Sequence, residues 1–446
     1  MRRNPGTSLG ISLRGLFAHD LASARLYLLL DQIAFSLASF ILTIALARMY
    51  SASEFGSYGI GLAIALMVQS IQRNFYIVPL SLMSRRVATR CAGGLIAEHL
   101  TVTGASVGLA ALVTAVMAAL GPGLTSLDVS LATLVCITLY FQSDFDRAIQ
   151  VKRGSYRGAL VLSLVYLLTV IAVSAFANFH HVSFAAFMVT LAAVCTLRSS
   201  WLFFLHVKPH WSWGMRLLGR DWRRYGMPAL LQAGAASGCQ HIPLMILATL
   251  SGSAQVGGFS AMRSLTQPLM LVFRSLDAAD KNRIRTASSG GTAGARRFVW
   301  RTTLFYGAIG AAALLVLGLF HDQIISLAYH GKYAGLGGIL IGWTIYSVLL
   351  GLGLPIGSLA YLLHRQRPFT AWTLVSGVVG IALALALCGP FGMWGAMAAT
   401  GISAAVSLVG GFIVTRDVIV EGRDLPLPRE MRRAVPAPTA SSDMSE

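Results

Sequence analysis

Gln69, Gln72, Arg73 and Tyr76 fall at i, i+3, i+4 and i+7 within an otherwise apolar run. A helix would carry all four on one face. Amide, guanidinium and phenol groups aligned inside an apolar helix suit a water-filled path, and the guanidinium would attract an anion. Alternatively, Arg73 snorkels to lipid headgroups. Its way there is long, past "NFYIVPLSLM", in which Pro79 could kink the helix. The theme returns in Arg263 and Gln267, at i and i+4, with Arg274 and Arg198 nearer the ends of their runs, where snorkelling is easy. Arginine suits phosphate because it stays charged and can bond two oxygens at once. Arg73, Arg263, Gln69, Gln72, Tyr76, Gln267 and Arg274 are therefore the candidate substrate-binding residues of a cavity.

Asp31, Glu98, Asp144 and Asp146 form a second set. They could couple transport to a proton or sodium ion, or form salt bridges that open and close as gates. They could equally be interfacial charges beside headgroups. Trp343 and Tyr346 could stack on sugars or simply pack. His180 and His181 read as surface residues of a turn. The chain contains no G-x-S-x-G, no H-E-x-x-H and no Walker lysine motif, so no catalytic constellation is expected. The five cysteines are isolated, which indicates neither a zinc site nor a disulfide framework. No cofactor is expected beyond a coupling H+ or Na+.

The elements that must hold these residues are apolar. Of 446 residues, 55% are hydrophobic and 12% charged, half the charged share of a soluble domain; the mean hydropathy is +0.68. Apolar runs at 27–48, 57–83, 100–120, 129–146, 158–178, 183–205, 226–249, 255–275, 299–320, 334–361, 370–388 and 392–415 are each long enough to span a bilayer as a helix. Ala45-Leu46-Ala47 resembles a cleavage motif, but the run before it is too long for a signal core. The net charge of +18 would suggest nucleic acid in a soluble protein. Here the basic residues lie between the runs, and no nucleic-acid partner is expected. With the N-terminus inside, all of the 35 Lys and Arg except Arg48, Arg73, Arg198, Arg263 and Lys332 fall in inside segments. That is the positive-inside pattern for an even number of spans with both termini cytoplasmic.

The expected fold is an all-α polytopic membrane protein with about 12 transmembrane helices in two six-helix lobes. The expected organisation is a leader over 1–26, an N-terminal lobe over 27–205, a linker over 206–225, a C-terminal lobe over 226–415 and a disordered cytoplasmic tail over 416–446. Sliding by 201 residues sets "LARMYSASEFGSYG" (46–59) on "LATLSGSAQVGGFS" (247–260) and Arg73 on Arg274. An even number of spans between copies makes the repeat parallel, with its axis along the membrane normal.

Residues 29–71, "LLDQIAFSLASFILTIALARMYSASEFGSYGIGLAIALMVQSI", then carry a resemblance. Asp31 in the first span, Leu46-Ala47-Arg48, a short turn, Glu54-Phe55-Gly56 and Tyr58 are similar to the O-antigen and exopolysaccharide flippases of the multidrug/oligosaccharidyl-lipid/polysaccharide exporter superfamily. The twelve-span layout and its 6+6 repeat extend the likeness along most of the chain. The resemblance implies two lobes about a cationic cavity and alternating access. It also implies a sugar chain on undecaprenyl pyrophosphate as substrate, membrane lipids and other polysaccharide-assembly membrane proteins as partners, and the bacterial inner membrane as location. Twelve rather than fourteen spans speaks against a lipid II flippase. The competing expectations are a multidrug exporter of the same superfamily and, further off, a membrane polymerase or acyltransferase.

Overall fold

The computed structural model describes residues 9–73, 99, 101, 103–105, 107–108, 111–112, 115, 127–206, 227–287, 291–363 and 365–420. Among them are twelve helices: α1 (Leu9–Met49), α2 (Ala52–Gln72), α3 (Leu127–Arg153), α4 (Tyr156–His180), α5 (Phe184–His206), α6 (Met227–Ser251), α7 (Ser253–Ala287), α8 (Gly291–Leu319), α9 (His321–Tyr329), α10 (Gly337–Leu362), α11 (Gln366–Phe391) and α12 (Met393–Ile419). Helix is what lipid imposes, because each backbone polar group must find its partner within its own segment. The apolar run at 100–120 falls mostly outside the described residues.

Among the described residues, six segments qualify as spans on length and apolarity alone: Leu26–Met49, Tyr156–His180, Ala293–Leu319, Gly337–Leu362, Gln366–Phe391 and Met393–Ile419. Helices α2, α3, α6 and α7 carry polar interior residues instead, among them Gln72, Asp144, His241 and Arg263. Burial runs opposite to that of a soluble protein. Asp31, Asp144 and Asp146 are buried, while Leu168, Leu197 and Val378 lie on the perimeter, each more than three-fifths exposed. The fold is thus an all-α, polytopic membrane bundle, as expected.

Helices α1–α5 pack among themselves, chiefly α1 on α4 and α2 on α3. Helices α6–α12 form the second lobe, with α11 against both α12 and α6, and α10 against α12. The lobes meet where α2 lies on α7 and α6, and where α1 touches α7 and α9.

Local chemistry builds this joint. Ser51 caps α2: its hydroxyl accepts from Glu54 N at 3.2 Å, and Ser51 N donates to Glu54 Oε2 at 2.8 Å. Such a reciprocal cap satisfies two otherwise orphaned amides. Gly252, at φ +83°, turns α6 into α7, a conformation that favours glycine. The paired helices then touch closely. A Cβ on Gly56 would lie 1.8 Å from Ser253 O, and one on Gly257 would lie 2.1 Å from Ala52 O. Ala52 and Ser253 are equivalent under the 201-residue offset, as are Gly56 and Gly257. Each helix therefore offers the other the same two positions, as a two-fold relation between the repeats requires. Ser53 Oγ and Ser253 Oγ sit 2.7 Å apart.

Two cations complete this end of the molecule. Arg48 Nη2 donates to Leu327 O at 2.5 Å and Arg48 Nε donates to Ala328 O. Both carbonyls belong to the last turn of α9, where a cation also meets the negative end of the helix dipole. In return, Lys332 Nζ donates to Ala47 O at 2.9 Å and to Tyr50 O. Burial and then the nearby Glu54 carboxylate push the Tyr50 hydroxyl up to about 12, so it remains a neutral donor to Val182 O at 3.1 Å.

Candidate functional site

The stripe on α2 is turned toward α3. Gln69 Nε2 donates to Asp144 Oδ2 at 2.6 Å, and Gln72 Nε2 donates to Phe141 O at 3.2 Å. Both side chains are buried. Gln72 Nε2 also lies 3.4 Å from His99 Nδ1, and His99 Nε2 lies 3.1 Å from Gln142 Oε1. The imidazole stacks on Phe145 with ring centroids 3.9 Å apart. Arg73, capping the end of α2, donates from Nε to Asp144 Oδ2 at 2.7 Å and from Nη2 to Asp144 Oδ1 at 3.2 Å. Its side chain nevertheless stays 56% exposed, whereas Asp144 is 5% exposed. Arg73 therefore shows one edge to a carboxylate and leaves the rest open. Tyr76 and Glu98 lie outside the described residues.

The other acidic residues also have partners. Asp31, in α1, accepts from Arg147 Nη2 at 2.6 Å and from Arg147 Nε at 3.0 Å. Ser163 Oγ of α4 donates to the same carboxylate at 2.5 Å. Arg147 also donates to Gln32 Oε1 at 2.9 Å and lies 4.7 Å from the Phe35 ring. Asp146 accepts from Gln142 Nε2 at 3.3 Å. These contacts tie α1, α2, α3 and α4 together through charge inside the N-terminal lobe. A buried pair of this kind is dangerous to break, because the remaining charge is left without water.

The other lobe supplies a second polar group. Arg263, in α7, has no carboxylate within ion-pair distance and no hydrogen-bond acceptor among the described residues. Its guanidinium lies 5.4 Å from the centre of the Trp343 ring of α10. Trp343 is held in place by donating from Nε1 to Phe259 O at 3.1 Å, and Tyr346 meets it edge-on at 5.1 Å. His241, in α6, is 4% exposed, and its Nδ1 has no partner; it lies within electrostatic range of Arg263. Gln267, one turn along from Arg263, is half-buried, and Arg274 is exposed. Arg274 likewise has no ion-pair partner among the described residues. It lies within range of Arg73 across the lobes and of Tyr346 on its own side. Arg263 in turn feels the charge of Arg274.

Arg73 and Arg274 come within electrostatic range of each other where α2 packs on α7, and Arg274 is within range of Arg263. Asp31 and Asp146 stay behind, inside the N-terminal lobe. The two helices touch most closely where residues 52–60 meet 253–260. Arg73 lies some 20 Å further along α2 at 1.5 Å per residue. Such an arrangement can hold an anion on guanidinium groups and lay a flat or ring-shaped neutral group on Trp343. His241 is the residue that motif reading passes over. A single histidine before Pro243 in an apolar run has no periodic companion to mark it, and only its unpaired nitrogen beside Arg263 makes it distinctive.

No family model matches the chain, and no curated protein matches it. Solved structures do. An inward-facing multidrug resistance MATE family transporter of the MOP superfamily superposes with a TM-score of 0.70 at 15% identity, over 87% of this chain and 95% of that one. The lipid II flippase MurJ, in an inward closed conformation, superposes at 0.64 and 12% identity, over 88% and 87%. An outward-facing MATE family transporter reaches 0.50 at 15% identity, over 89% and 96%. At such identities the likeness is one of fold, and it extends along nearly the whole chain.

Proposed function

We propose that this chain is a flippase carrying a pyrophosphate-linked oligosaccharide across the cytoplasmic membrane by alternating access. The observation that supports this best is Arg263, an arginine within an apolar bundle with no anion beside it among the described residues. An arginine at mid-membrane costs about 2.5–3.5 kcal/mol on insertion scales. A single aromatic face returns about 0.5–2 kcal/mol. The remainder favours a site that holds water at rest and an anion in use. Arg274 adds a second charge of the same kind, and Arg73 a third that Asp144 partly offsets. Trp343 and Tyr346 offer faces on which sugar rings can lie. The lipid tail would remain in the bilayer while the head, too polar for hydrocarbon, passes between the lobes.

The structures of like fold include the lipid II flippase MurJ, whose named substrate is a lipid. They also include multidrug transporters, and a multidrug exporter is the second reading. Paired acidic residues and unpaired arginines disfavour a cationic drug in this space. We further take the bundle end at Ser51 as the outside face, the Arg-rich end as cytoplasmic with both termini, and residues 206–225 as the linker between lobes; the basic residues between apolar runs support this. Asp31, Asp144 and Asp146 would then act as gate or coupling residues within the N-terminal lobe.

Arg263→Ala and Arg274→Ala should each abolish surface polysaccharide in a strain that depends on this chain, with protein level in the membrane unchanged. Arg263→Lys should retain part of the activity, since a lysine keeps the charge but not the two-pronged contact. Normal polymer in both alanine variants would refute the reading.

A further inference from the structure

A separate cluster lies at the end of the bundle remote from Ser51. There α7 and α8 enclose a groove of about 440 Å³, and Arg283, Arg297 and Arg301 reach it together with Asp280. Phe298 and Phe305 form its apolar side. Arg297, Arg301 and Phe305 are spaced at i, i+4 and i+8, on one face of α8. None of the three arginines has an ion-pair partner among the described residues. Asp280 accepts a hydrogen bond from Tyr306 at 3.0 Å, which fixes its carboxylate and leaves an oxygen free. Just along α8, Trp300, Leu304 and Phe305 are 45%, 66% and 55% exposed. Side chains of that kind on a spanning helix face acyl chains.

We infer that this groove binds the headgroup of an anionic phospholipid that also carries a free hydroxyl. Three guanidinium groups would hold the phosphate, the fixed Asp280 carboxylate would accept from the hydroxyl, and the acyl chains would run down over Phe305 and Leu304. The apolar strip continuous with the groove favours a lipid over a soluble anion. Basic recesses between spanning helices at the cytoplasmic surface are known to take such headgroups. The groove lies on the outer perimeter between α7 and α8, away from Arg263 and Trp343, so this inference stands independently of the substrate proposed above.

The test uses the full chain, purified in neutral detergent micelles, with Tm followed as lipid is added. Phosphatidylglycerol should raise Tm saturably, while phosphatidylcholine and inorganic phosphate should not. Each arginine removed should weaken the apparent affinity roughly fivefold, and Arg297→Ala with Arg301→Ala roughly thirtyfold, from about 1 kcal/mol per basic residue. Arg283→Gln, at the exposed end of α7, gives the same test without touching α8. Arg296→Ala removes an equal charge next to the groove but not lining it, and should change affinity less than twofold. Equal losses in Arg296→Ala and Arg297→Ala would mean diffuse attraction and overturn the site. An equal Tm rise with inorganic phosphate would overturn the lipid.

Discussion

At the scale of residues, charge is organised by what each group can reach. Arg73 and Arg274 occupy equivalent places in the two repeats, yet among the described residues only Arg73 meets a carboxylate, Asp144. Arg73→Ala should therefore have two consequences: loss of a half-exposed guanidinium, and a buried Asp144 left with Gln69 Nε2 as its remaining donor. The second should lower stability by about 1–3 kcal/mol, because Arg73 is more than half exposed and its charge is screened, seen as a reduced Tm of the purified protein. Adding Asp144→Asn should recover most of that loss. A single variant as stable as the parent would mean that Asp144 is solvated. The same logic applies to Asp31 and Arg147, whose pair is more deeply buried. The helical period in the sequence places Gln69, Gln72 and Arg73 on one azimuth of α2, which is how the stripe is legible. It does not say which neighbour that azimuth faces. The structure turns the two glutamines to α3 and His99, where they pack inside one lobe, while Arg73 keeps an exposed edge.

At the scale of elements, the residues that carry the family resemblance build the joint between lobes. Glu54 closes the cap of α2, Phe55 is fully buried, Gly56 lets α7 approach, and Arg48 grips the end of α9. That motif is legible in sequence because each step needs a specific residue: a carboxylate to cap, and no Cβ at the crossing. The short helix α9 is not legible, since nine residues at a loop give no spanning run, and its partner Arg48 lies hundreds of positions away. Cysteines at Ser53 and Ser253, in a chain with its native cysteines replaced, should cross-link on oxidation, because the hydroxyls they replace are 2.7 Å apart. If this joint must open during each cycle, the oxidised protein should lose transport, and reductant should restore it. Full activity in the cross-linked protein would make the joint a static hinge. Gly56→Leu should work the other way, holding α2 and α7 apart and cutting the yield of the cross-link several-fold.

At the scale of the whole molecule, twelve apolar runs and the distribution of arginine between them are enough to read a two-lobed helical membrane protein. Lipid leaves few alternatives to helix, and the basic residues mark one set of ends. The grouping of Arg73, His241, Arg263 and Trp343 is less legible, because its members are spread over α2, α6, α7 and α10 in two lobes. His241 and Trp343 acquire meaning only through Arg263 between them. The most direct test of a cationic cleft that moves a lipid-linked anion is reconstitution. Purified protein in vesicles should bring a pyrophosphate-linked oligosaccharide from one leaflet to the other, read by its accessibility to an impermeant lectin. Arg263→Ala should slow this to the rate of empty vesicles, while a lipid of equal tail length with a neutral sugar head and no phosphate should not move. Movement at parental rate in Arg263→Ala, or equal movement of the neutral lipid, would contradict the account.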